Sequence, residues 1–142
     1  MPAIIEDRTI ATSPGRVFQA LTQADDIIRW WCEETNVIPE VGTVATFRFR
    51  PPAGALQFEV AELDAGKKVR WISRQGPPHW AGTSVTWVLT PVPQGTRVDF
   101  THDGFAEDAL IDTKRQSWRF FLDSLKSYLE TGAGAPGVPV AR

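Results

Sequence analysis

The sequence holds one cysteine, one tyrosine, one methionine and two histidines in 142 residues. A single cysteine excludes an internal disulfide and suits a reducing compartment, so a cytoplasmic location is expected. With no C-x-x-C and no H-E-x-x-H spacing there is no metal-ligand set, and no metal or cofactor is expected. There is no excess of basic charge either. Lys and Arg number 15 against 17 Asp and Glu, a net charge of -2, so no field points to nucleic acid. No apolar run approaches the roughly 20 residues that cross a bilayer, which argues against membrane insertion. The start, Met1 to Arg8, lacks the basic stretch and cleavage site of a signal peptide. A Gly-x-Ser-x-Gly elbow and a glycine-rich loop after a strand are both missing, which sets aside triad and phosphate chemistry. Cys32 follows Trp31 with no motif around it and reads as a small hydrophobe.

What the chain does have is six tryptophans and eight phenylalanines. Such rings fill a core or line a cavity equally well. Their phasing tells where they sit. An extended segment over 4–12 leads to Ser13-Pro14, an N-cap followed by a proline suited to the first helical turn. Val17, Phe18 and Leu21 share one face of the helix that follows, which ends near Thr22. Asp25 and Asp26 open a second short helix carrying Ile27, Ile28, Trp30 and Trp31.

From Gly42 the period becomes two. Ala45, Phe47 and Phe49, then Leu56, Phe58 and Val60, then Val69, Trp71 and Ser73 alternate with polar neighbours. Val85, Trp87 and Leu89, then Val98, Phe100 and His102 do the same, with turn residues at Asp64–Lys67 and Pro93–Thr96. The period returns to helical over 109–131, where Trp118, Phe121, Leu122, Leu125 and Leu129 recur at three- and four-residue spacing. Gly132 suits an αL cap, and residues 133–142 read as a flexible tail after a single domain over 1–132.

This order predicts an α+β fold: a curved antiparallel six-stranded sheet wrapped around the long C-terminal helix, with two short helices after the first strand. The first strand belongs beside the last one, which spares an open edge. The outward positions Arg48, Arg50, Lys68, Arg70, Arg74 and Arg97 are matched by Glu59, Glu62 and Asp99 and read as a solvated face.

The order of elements resembles the helix-grip fold of the START and birch-pollen-allergen (SRPBCC) superfamily. Several runs are similar to its bacterial branch related to the activator of the ninety-kilodalton heat-shock chaperone ATPase. They are Ser13–Thr22 with Trp30-Trp31, Gly82–Trp87, Gly95–Phe105, and Trp118 with Phe121–Leu129. The likeness extends over residues 8–132. It implies a pocket for an apolar small molecule beneath the long helix, in a superfamily that includes lipid carriers, polyketide cyclases and co-chaperone domains. No catalytic residue carries over. The eukaryotic co-chaperones place a chaperone-binding domain ahead of this one, and none precedes Met1, so a chaperone partner does not carry over either.

The first functional expectation is therefore a binding or carrier domain for a small hydrophobic, lipid-like or aromatic molecule, without cofactor and not an enzyme. By parity its pocket is lined by Phe47, Phe49, Phe58, Trp71, Ser73, Trp87, Phe100, His102, Trp118, Phe121 and Leu122. Trp30, Trp31 and Trp80 fall outside that parity and are placed at the pocket mouth. The second expectation is a cyclase-like or hydrolase-like enzyme with His102, an inward imidazole among aromatics, as acid or base. The competing reading of His102 is a satisfied core histidine, and His79 in the loop over 75–82 reads as solvated. A chaperone-modulating interaction domain is the third, and homodimerisation is compatible with all three.

Overall fold

The computed structural model describes residues 3–49, 54–76, 80–106 and 111–136. Arg50, the break at 51–53, His79, the first two residues of the expected long helix and the end of the expected tail, 137–142, lie outside the described residues. The chain runs through β1 (Ile4–Ile10), α1 (Pro14–Thr22), α2 (Ala24–Trp30), β2 (Glu34–Thr35) and β3 (Val44–Arg48). It continues with β4 (Ala55–Asp64), β5 (Lys68–Gln75), β6 (Ser84–Val92), β7 (Gly95–Asp103) and α3 (Ile111–Thr131). One antiparallel sheet has the order β1-β7-β6-β5-β4-β3-β2. The expected α+β meander and helices are present, with seven strands rather than six. The additional one is β2, which pairs Glu34 with Arg48 and Thr35 with Phe47. Two residues carry no periodicity, so this strand exists only through its partner.

The helix starts follow the local chemistry. Ser13 Oγ accepts from the Arg16 amide at 3.2 Å with Pro14 at the first helical position. Asp25 and Asp26 occupy the first turn of α2, favoured by the exposed amides there. β1 pairs with β7 from Ile4↔His102 to Ile10↔Thr96, as a strand seeking cover for its edge should. Its other edge is covered by α3: Lys126 Nζ donates to the Thr9 carbonyl, and Glu130 accepts from the Ala11 amide at 2.9 Å. Arg8–Asp123 and Arg119–Glu6 ion pairs run along the same seam.

Register shifts in β4, between Gln57 and Phe58 and between Val60 and Glu62, bend the sheet so that its inner face becomes concave. Outside, Lys68 pairs with Glu62 and Arg97 with Asp99, and Arg74 meets Glu59. The β6–β7 turn depends on one glycine. Gly95 has φ +140°, and a Cβ there would lie 2.2 Å from the Ile10 carbonyl oxygen. Only the missing side chain lets β1 end against this turn.

The chain past α3 stays attached to it. Gly132, at φ +86°, donates its amide to the Tyr128 carbonyl and closes the helix. Ser124 Oγ then donates to the Trp30 carbonyl and accepts from the Ala135 amide, both at 2.7 Å. One hydroxyl thus ties α2, α3 and the segment after α3 together.

Candidate functional site

The concave face and α3 enclose a layer of aromatic side chains. Val69, Trp71, Ser73, Val85, Trp87, Leu89, Val98, Phe100 and His102 all point inward, as their alternation requires. From α3, Trp118, Phe121 and Leu122 are buried against them. Phe49, one residue beyond β3, is half-buried. α3 lies against β1, α1 and α2, so the rings fill the wedge between it and the middle of the sheet.

Trp31 occupies the centre of that wedge. Its indole stacks on Trp71 of the sheet at 5.6 Å and 6°, and on Trp118 of α3 at 5.6 Å and 29°. Phe47 lies 4.6 Å away and Trp30 stacks at 5.8 Å. Trp31 is 1% exposed and Trp30 is fully buried with its Nε1–H on the Ala20 carbonyl. Neither is at a surface mouth. Adjacent residues do not face the same way on a helix, so a helix continued through Trp31 would aim the second indole away from the first. The chain resolves this by leaving the helix at Trp31, with φ -120° and ψ -71°, which turns the second indole inward too. Trp80 is buried as well, at 8% exposure, close to Phe58 and Trp118.

His102 belongs to a hydrogen-bonded chain. Trp118 Nε1 can only donate, and it points at His102 Nδ1 from 3.0 Å. The imidazole proton is therefore on Nε2, which donates to Thr83 Oγ1 at 2.8 Å. The Thr83 hydroxyl in turn donates to the Trp80 carbonyl at 2.6 Å. Burial, with a smaller contribution from Lys114, lowers the His102 pKa to about 3, so the ring is neutral. Both nitrogens are used, which leaves no lone pair for a substrate proton in this arrangement. The ring links β7, α3 and the loop that carries Trp80 and Thr83, and Trp80 and Phe105 lie against it at 4.8 and 4.5 Å. Thr83 and Phe105 were not among the expected site residues. Both precede or follow a strand, where alternation no longer reports which way a side chain points.

Three buried polar atoms have no hydrogen-bond partner among the described residues: Ser73 Oγ, Trp80 Nε1 and Trp87 Nε1. Trp80 and Trp87 lie 6.2 and 6.1 Å from Trp118, and Ser73 is paired with Phe58, which Trp80 approaches at 6.1 Å. Cys32 is elsewhere: it donates to the Glu34 carbonyl, and burial pushes its thiol up to about 12, which makes it inert. Two grooves among the described residues also lie away from the aromatic layer. One, of about 380 Å³, runs along the β2–β3 edge beside Glu34, Asn36 and Arg48. The other, of about 290 Å³, separates α3 from residues 133–135. No helix among the described residues is long and apolar enough to cross a membrane.

These features recur in known proteins. The Aha1 dimer of Colwellia psychrerythraea superposes with a TM-score of 0.85 at 33% identity, over 94% of this chain and 100% of that one. Protein MLL2253 of Mesorhizobium loti gives 0.78 at 26% identity, over 90% and 96%. CalU16 of Micromonospora echinospora, at 17% identity, shares the fold with a TM-score of 0.73 over 94% and 76%. No curated protein matches the chain. The sequence model of one family matches residues 11–130, from the loop before α1 almost to the end of α3. With the helix-grip architecture and this match, the chain belongs to the family described as Activator of Hsp90 ATPase homolog 1-like protein.

Proposed function

We propose that this protein is a binding domain for a small apolar molecule, held between β5–β6 and α3 beside Trp80. One observation carries the reading: among the buried aromatic side chains, Ser73 Oγ, Trp80 Nε1 and Trp87 Nε1 have no hydrogen-bond partner among the described residues. Leaving a buried donor unpaired costs about 1–3 kcal/mol, so each of them is a feature that a bound molecule would relieve. The position follows from the packing. Trp31 already fills the space between Trp71 and Trp118, whereas Trp80, in the loop before β6, packs against Phe58 and Trp118 with 8% of its surface exposed. Phe58, Trp80, Trp87 and Trp118 supply the apolar walls and Ser73 a polar fixer. In this reading His102 is a positioning residue, holding the Trp118 indole and, through Thr83, the Trp80 backbone.

Native and denaturing mass spectra of freshly purified protein, together with an NMR titration using indane, test this. A small organic mass released on denaturation, or saturable one-to-one binding of indane that shifts the Trp80 indole resonance, is expected. Absence of both overturns the reading.

A second reading concerns assembly. The Colwellia relative is a dimer, and this chain exposes Ile38, Val41 and Val44 at the β2–β3 side of its sheet. We propose a homodimer formed there, because apolar residues grouped at an open edge are suited to a second copy. Sedimentation should give twice the chain mass, and Val41→Glu should give the single mass. A monomeric wild type removes the proposal.

A further inference from the structure

The segment after α3 folds back along it and reaches the end of α2. Ser127 Oγ donates to the Ala133 carbonyl at 2.7 Å, the Ala133 amide donates to Thr131 Oγ1 at 3.2 Å, and the Ala135 amide donates to Ser124 Oγ at 2.7 Å. Gly134 lies flush on α2: a Cβ there would stand 2.4 Å from the Arg29 carbonyl oxygen and 3.1 Å from the Trp30 Cα. Residues 132–135 read Gly-Ala-Gly-Ala, and a groove of about 290 Å³ stays open between 133–135 and α3. Hydroxyl groups hold this segment, with little side-chain packing beneath it, and such bonds are only modestly favourable in exchange with water.

The two ends of α2 are held unequally. In its first turn, Asp26 accepts from Arg16 of α1 at 2.9 Å and from the Tyr128 hydroxyl of α3 at 2.5 Å, a charge-assisted clamp. Its last turn meets α3 through Ser124 Oγ on the Trp30 carbonyl, the same hydroxyl that takes the Ala135 amide. Directly beyond, the chain leaves the helix at Trp31 and passes to Cys32, which is fully buried. From inside, the stacking of Trp31 on Trp71 and Trp118 and the Trp30 indole on the Ala20 carbonyl hold this end. From outside, Gly134 and Ala135 cover it.

We propose that residues 132–135 are a releasable strap. Docked, the strap locks the end of α2 onto α3; released, it lets Trp30, Trp31 and Cys32 swing out about the Asp26 clamp while the sheet stays folded. Local openings of this kind start from the least stable contacts of a fold. The central wedge, filled by Trp31 in the closed protein, is then reachable from solvent at the α2 end. The device goes beyond the binding-domain reading and does not rest on it.

Cys32 reports the opening, because it is the single cysteine and its thiol is buried and pushed up to about 12 in the closed protein. The rate of its modification by DTNB is measured on the full chain for wild type, Gly134→Ala and Ser124→Ala. Gly134 has no left-handed φ, so alanine there is opposed by the Arg29 carbonyl and not by the backbone conformation. Each variant should be labelled roughly tenfold faster than wild type. The rate should stay nearly flat in urea below the unfolding transition, since a local opening exposes little surface. Amides of β5–β7 should keep their hydrogen-exchange protection. Unchanged labelling in either variant, or labelling that rises with urea as steeply as global unfolding, overturns the strap. Should a variant fail to fold, wild type decides: Cys32 labelling and exchange of the Trp31 and Ala135 amides should share one opening that is insensitive to urea. Separate openings, or a global one alone, remove the proposal.

Discussion

Trp31→Ala is expected to destabilise the protein by about 3–5 kcal/mol, the range for removing a fully buried large aromatic side chain. The size follows from where the indole lies. It joins the sheet, through Trp71 and Phe47, to α3, through Trp118 and Phe121. Those groups are anchored on separate elements, so they cannot collapse together to fill the space, and the cavity term stays high. Urea unfolding of the variant measures the loss. The cavity has the shape of an indole, so millimolar indole should recover part of the lost stability by binding only the folded variant. A loss under about 1 kcal/mol would mean that Trp31 does not hold helix and sheet together.

Acid should act on the same core through His102. The imidazole titrates near 6.5 when the chain is unfolded, and burial lowers it to about 3 in the folded protein. Between those values the unfolded chain binds a proton that the folded one does not. Stability from the neutral ring is complete above pH 6.5 and falls as pH drops toward 3, by at most about 1.4 kcal/mol per pH unit. At pH 4 the loss attributable to this group is about 3 kcal/mol. Protonation also breaks the network, since Nδ1 can no longer accept from Trp118. Urea midpoints at pH 7 and pH 4 for wild type and His102→Gln provide the check. The variant should be weaker at pH 7 and should lose less on acidification. Parallel losses in the two proteins would show that carboxylates, not His102, set the acid sensitivity.

Both predictions concern residues that the sequence marked as noteworthy while leaving their roles open. Alternation put His102 on the inner face, because a strand sends every second side chain the same way. It could not supply the partners, Thr83 nineteen residues earlier and Trp118 sixteen later. Whether an inward histidine is an acid–base group or a satisfied core residue depends on those partners alone. Trp80 was placed at the pocket mouth from its position in an irregular loop; it is buried, at 8% exposure, against Phe58 and Trp118. Trp31 was assigned the same place and is instead the centre of the core, because the end of a seven-residue helix sets its direction and no periodicity reports a helix end.

The sequence by itself determined the class of fold, the pairing of the first strand with the last, both short helices with their N-terminal chemistry, and the inward face of each long strand. These follow from local sterics and from two periodicities written along the chain. The tertiary structure alone decided the seventh strand, the attachment of residues 133–135 through Ser124, the filling of the central wedge by Trp31, and the three polar atoms left without partners. Each of these depends on which atoms arrive together from distant parts of the chain, and side-chain packing at that scale leaves no repeating signature in the order of residues.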